Sequence, residues 1–203
     1  MTSSDLFERL RSLCSLPGPS GREAAVATRV EAELRQLGCE VSSDGLGNVM
    51  ARRPGSSGRP RVLFVAHMDE VGLVARHIDR SGRIWFDVVG WVNPSVLPAS
   101  PVDILTETGE VPGVVIVASA HLAAVAPATG DGARMWVDVG ASDAADVRDL
   151  GISVGDFIVF DSPLRRLRGD RMTGKALDNR IHGRAGCGRF GIPAVSEIPS
   201  GVG

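Results

Sequence analysis

The stretch VLFVAHMDEVG, Val62–Gly72, constrains this chain more than any other. Its first five residues, Val62 to Ala66, are all apolar, which reads as a strand buried in a core. That strand runs straight into His67, Met68, Asp69 and Glu70, and Gly72 follows closely. In an extended segment His67 and Asp69 lie two apart and point to the same face. At the carboxyl end of a strand they would sit where open α/β sheets place their ligands. Imidazole is a good ligand for zinc or cobalt, and a neighbouring carboxylate orients the ring and fixes its tautomer. The same H-x-D pattern also reads as a surface turn after a core strand.

The segments around it set the fold class. Leu6, Leu10 and Leu13 fall at helical spacing behind Ser3 and Ser4, and Leu16-Pro17-Gly18-Pro19 ends that helix. Ser20-Gly21-Arg22-Glu23 has the form of a capping box. It opens a second helix striped by Val26, Val30, Leu34 and Leu37 and stopped by Gly38. Glu40–Ser43 and Leu46–Arg52 flank Asp44-Gly45 as a hairpin, and residues 52–60 form a loop. Helix, helix, hairpin and buried strand begin an α/β layer structure.

Beyond Gly72 the texture changes. Short candidate strands at Leu73–Ile78, Arg83–Val88, Val102–Glu107, Gly113–Ala118, Arg134–Val139 and Phe157–Phe160 alternate with turns, with one helix over Ser142–Leu150. This predicts a compact β-barrel or sandwich inserted into the α/β layer, with boundaries near 72 and 162. The last 23 residues hold six glycines and two prolines and keep neither helical nor strand periodicity.

Composition removes several function classes. A net charge of −2 gives no electrostatic attraction to nucleic acid or an anionic membrane. No apolar run approaches the ~20 residues of a bilayer span. Cys14, Cys39 and Cys187 form no C-x-x-C pair, which fits a reducing cytoplasm without disulfides. No G-x-S-x-G supports a serine hydrolase. His77 reads as a cross-strand surface residue, His121 as a loop residue, and Asp131 as turn chemistry. Asp178, in Leu-Asp-Asn-Arg after Gly174 and Lys175, reads either as a helix N-cap or as a carboxylate able to bridge two metal ions.

Taken together, VLFVAHMDEVG, GWVNPSVLPASPVDILTETGEVPGVV, WVDVGASDAADVRDLGISVGDFIVF and GKALDNR closely resemble the glutamyl and tetrahedral (TET-type) aminopeptidases of peptidase family M42. The likeness runs from about residue 5 to Arg180. It implies an incomplete zinc-exopeptidase-type α/β/α catalytic domain, with residues 1–71 as its first part and 163–181 as its return. Between them it implies a β-rich, barrel-like dimerisation domain at 72–162. It further implies two divalent metal ions, zinc or cobalt, peptide substrates, cytoplasmic location and homo-oligomers built through the inserted domain. By position, His67 matches a terminal metal ligand, Asp178 the bridging carboxylate, and Asp69 the acid that orients His67.

The tail departs from this pattern. The family's general-base glutamate, its second-metal ligands and its late histidine have no counterpart here. Residues 182–203, including His182 and Glu197, resemble a shifted reading frame after about Arg180. The resemblance therefore implies a metal-dependent aminopeptidase whose catalytic set is incomplete in this chain. The alternative is an inactive product retaining only an oligomerisation module.

Overall fold

A computed structural model describes residues 3–53, 63–118, 135–169 and 171–180. The predicted loop at 52–60, along with Val62, His121, Asp131, His182, Cys187 and Glu197, lies wholly or largely outside the described residues.

Helix α1 (Ser3–Cys14) buries Phe7, Leu10 and Leu13, and Leu164 from late in the chain closes over Phe7 and Leu10. Helix α2 (Ala24–Gln36) buries Val26 and Leu34. It ends as the sequence predicts. Gly38, at φ 75°, donates its amide to Arg35, and the Cys39 amide returns to the Leu34 carbonyl. That pair of reversed bonds satisfies the last helical carbonyls, and glycine adopts the left-handed turn without strain.

The start of α2 differs from expectation. Its N-cap is Glu23, which makes no side-chain capping bond, and the Ser20 hydroxyl donates to Asp69 instead. The S-x-x-E box therefore does not close. The hairpin β1 (Glu40–Ser43) and β2 (Val49–Arg52) pairs as expected, but its loop is longer than two residues. Asp44 Oδ1 accepts from the amides of Leu46 and Asn48, and Oδ2 from the Asn48 side chain. Those bonds stabilise a wider Asx-type turn.

Residues 63–69 correct a second expectation. They are extended but belong to no ladder, and Leu63 and Val65 are 85% and 80% exposed. A strand apolar at every position needs a ladder and cover on both faces, and among the described residues Leu63 and Val65 have neither. The first pairing along this run is a parallel bridge between Pro19 and Glu70.

From Gly72 onward the chain closes on itself. Strands β3 (Gly72–Ile78), β4 (Ile84–Val89), β5 (Pro101–Leu105), β6 (Glu110–Val117), β7 (Met135–Asp138) and β8 (Phe157–Phe160) form a closed antiparallel barrel in the order β3-β4-β7-β6-β5-β8. Strand β8 completes it by pairing with both β3 and β5. Inward positions such as Leu73, Ile84, Val102, Ile104, Val137 and Ile158 are fully buried in one core. Each contributes on the order of 1.5–3 kcal/mol. Helix α3 (Ala144–Asp149) plugs one end with Val147, capped by the Asp143 carboxylate accepting from the Ala145 and Asp146 amides.

Gly72 now has a reason: a Cβ there would come within 2.9 Å of the Ile158 carbonyl on β8. After β8 the chain returns to α1 through a short hairpin, β9 (Arg165–Arg166) and β10 (Met172–Thr173). It then makes a helical turn at 177–180. The molecule is thus a mixed α/β structure interrupted by a closed β-barrel, as the sequence predicts.

Candidate metal centre

His67 leaves the extended run with its side chain half exposed. Its Nδ1 lies 3.0 Å from Asp69 Oδ1, the same-face contact that their two-residue spacing allows. Ser20 Oγ donates to the other oxygen of Asp69, Oδ2, at 2.5 Å. That hydroxyl is the main reason the Asp69 carboxyl sits below the usual carboxylate range. Partial burial opposes the shift, and His67 adds to it. An ionised Asp69 is purely an acceptor, so Nδ1 is the donor in this contact and Nε2 is the ring nitrogen left to face outward.

Nε2 is aimed at Asp178. The Nε2–Oδ1 separation is 3.3 Å, across 111 residues of sequence, and the Asp178 side chain is 94% exposed. With Nδ1 engaged by Asp69, Nε2 and the Asp178 carboxylate oxygen face each other at one spot. Donors bound at about 2.0–2.1 Å to one tetrahedral ion stand roughly 3.3 Å apart, so the pair fits as two ligands of a single cation. A complete site needs more. Among the described residues, no group of three or more His, Cys, Asp and Glu side chains converges to hold an ion. His67 and Asp178 fit one edge of a metal centre.

Directly behind this edge lies a buried polar cluster. Glu70 Oε1 accepts from the Gly18 amide at 3.0 Å and from Lys175 Nζ at 3.1 Å, and Arg180 Nη2 stands 3.4 Å away. Arg180 is 1% exposed. Its Nη1 donates to the carbonyls of Leu13 and Leu16, where α1 ends, and its Nε to Met68 O. Ser20, Glu70 and Arg180 escaped the sequence reading as site residues. Ser20 looked like a cap, and Glu70 and Arg180 stand beside more conspicuous residues inside the two motifs. His77 behaves as expected: it is exposed and pairs across to Trp85.

The model of the M42 glutamyl aminopeptidases matches residues 47–187, a span that includes the strand end, the barrel and the Asp178 turn. The chain belongs to this family. The lysyl aminopeptidase of Pyrococcus furiosus is 36% identical over 86% of this chain and 51% of its own length. An aminopeptidase from Desulfurococcus kamchatkensis superposes with a TM-score of 0.80 at 33% identity, over 88% of this chain and 49% of that one. The TET1 peptidase of Pyrococcus horikoshii superposes with a TM-score of 0.76 at 27% identity, over 90% and 55%. It can assemble into a tetrahedron or a large octahedral shell. The chain spans about half the length of the curated M42 relatives it matches.

Proposed function

We infer that this chain carries part of the metal centre of an M42-type, metal-dependent aminopeptidase acting on the free N-terminus of peptides. The observation behind the reading is the 3.3 Å approach of His67 Nε2 to Asp178 Oδ1, with the opposite ring nitrogen held by Asp69. In this reading residues 1–71 and 163–181 belong to the catalytic domain. The barrel at 72–162 is the inserted domain through which copies associate, and the protein works in the cytoplasm.

His67 and Asp178 would hold divalent metal, zinc or cobalt, since imidazole and carboxylate accept both. When bound, such ions polarise the scissile carbonyl and lower the pKa of water. The chain's own contribution is positional. Asp69 fixes the tautomer and plane of the His67 ring, Ser20 keeps Asp69 ionised, and exposed Asp178 leaves Oδ2 open for a second cation. A two-ion site needs roughly five or six protein ligands and a general base. The two ligands found here bind metal weakly and do not complete the reaction. A second reading, a bare oligomerisation module, is favoured by one observation: among the described residues, the barrel's ladder and its core are closed by residues between Gly72 and Phe160.

Metal analysis together with aminoacyl p-nitroanilide hydrolysis tests both. The first reading expects zinc or cobalt uptake that His67→Ala and Asp178→Ala each reduce at least tenfold, with no turnover by the 203-residue chain. Uptake indifferent to both substitutions leaves only the module, and turnover refutes incompleteness.

A further inference from the structure

The two ligand-bearing segments are exposed, yet both are anchored from beneath by the same buried charges. Glu70 follows His67 by three residues, and Arg180 follows Asp178 by two. Their side chains are 4% and 1% exposed, far less than the ligands they accompany. Arg180 reaches carbonyls at the end of α1, the backbone between His67 and Asp69, and the Glu70 carboxylate. Glu70 holds Gly18 from both sides: its carboxylate accepts from the Gly18 amide, and its own amide donates to the Gly18 carbonyl at 2.8 Å. Gly18 has no room for a side chain, since a Cβ would stand 2.9 Å from Arg180 Nη2 and 2.8 Å from Val26 Cγ2. Lys175, three residues before Asp178, brings a second cation to Glu70 Oε1.

A buried ion pair is a poor way to gain net stability, because desolvation cancels much of the attraction. An apolar pair would fill the same space, but it could not direct bonds to four separate backbone and carboxylate oxygens. What the ionic arrangement adds is fixed relative position.

We propose that Glu70 and Arg180 are positioning residues, a buried clasp that fixes the His67 imidazole against the Asp178 carboxylate. The clasp acts through the backbone of Met68 and the turn carrying Asp178, and it touches neither ligand side chain. The inference rests on the metal reading only for its cobalt arm. A metal-free arm tests the clasp separately.

The test uses the full chain with Glu70→Gln, Arg180→Lys and, as a control destabilised elsewhere, Val147→Ala in the barrel core. Glu70→Gln keeps the size and removes the charge, Arg180→Lys keeps the charge and removes the forked donors, and melting curves confirm that each variant folds. In metal-free protein labelled with 15N-histidine, His67 gives the pattern of a single Nδ1–H tautomer in the parent and in Val147→Ala. In the two clasp variants it shifts toward a mixture of tautomers. In cobalt titrations the clasp variants bind at least tenfold more weakly with an altered visible spectrum, while Val147→Ala keeps both parent values. Clasp variants with the parent's His67 signals overturn the proposal, whatever cobalt does. A parent that ignores cobalt while its clasp variants lose the single tautomer upholds the clasp and removes the metal reading. Should either variant fail to fold, the other and Lys175→Met, read in the same way, decide the outcome.

Discussion

The barrel and the segment leading to His67 solve opposite problems with the same chain. Barrel residues satisfy their backbone through a closed ladder and put apolar side chains into one core. The segment at 63–69 has no ladder, exposes Leu63 and Val65, and is held by polar contacts from Ser20 to Asp69 and Arg180 to Met68, with Gly18 gripping Glu70 at its end. One region is fixed by hydrophobic burial, which is undirected, and the other by hydrogen bonds and charge, which set angles and distances. A metal ligand needs the second kind of control.

The largest expected effect breaks the comparison on the polar side. Glu70→Ala leaves Arg180 and Lys175 charged and buried without their partner, at a cost of about 3–5 kcal/mol. Hydrogen exchange should show the loss in α1 and residues 63–70, with barrel amides still protected. Next, Ile104→Ala removes a fully buried barrel side chain and costs about 2–5 kcal/mol. Thermal melting should report the loss, while cobalt affinity stays at the parent value.

A smaller effect concerns Asp69. Its pKa is depressed in the folded state, so the stability it adds is present above the unfolded value near pH ~3.9. That contribution is lost as pH falls through the folded value. Ser20→Ala removes the main cause, raises the Asp69 pKa and should move the acid-unfolding midpoint slightly upward. An unmoved midpoint would mean that the Ser20 contact carries no energy. Smallest of all, Leu63→Ser and Val65→Ser should each change stability by no more than about 0.5 kcal/mol, because both side chains already face solvent. A loss well above that would show these residues to be buried in solution.

What the sequence revealed divides along the same line. Turn chemistry located all six barrel strands, because a hairpin's signals are local: Asp79 to Gly82, Thr108-Gly109, Gly155-Asp156, and Gly151 after α3. His67 and Asp178 stand out in the sequence because few side chains can ligate zinc and each lies in a distinctive motif, and the structure brings them within 3.3 Å of each other. Ser20 was misread, since a capping box predicts a local partner and its real partner is 49 residues away. Glu70 and Arg180 left no local signal, because a contact spanning 110 residues has no periodicity to betray it. The apolar run from Val62 reads as buried because composition gives hydrophobicity but not neighbours. Burial requires a second surface, and the described residues hold none against Leu63 and Val65.

X-ray absorption at the zinc edge of the metal-loaded chain tests the central claim most directly. The account predicts one imidazole nitrogen per zinc, with oxygen donors completing the shell, and loss of the imidazole signature in His67→Ala. A shell containing sulfur, or an imidazole that persists when His67 is gone, would contradict it.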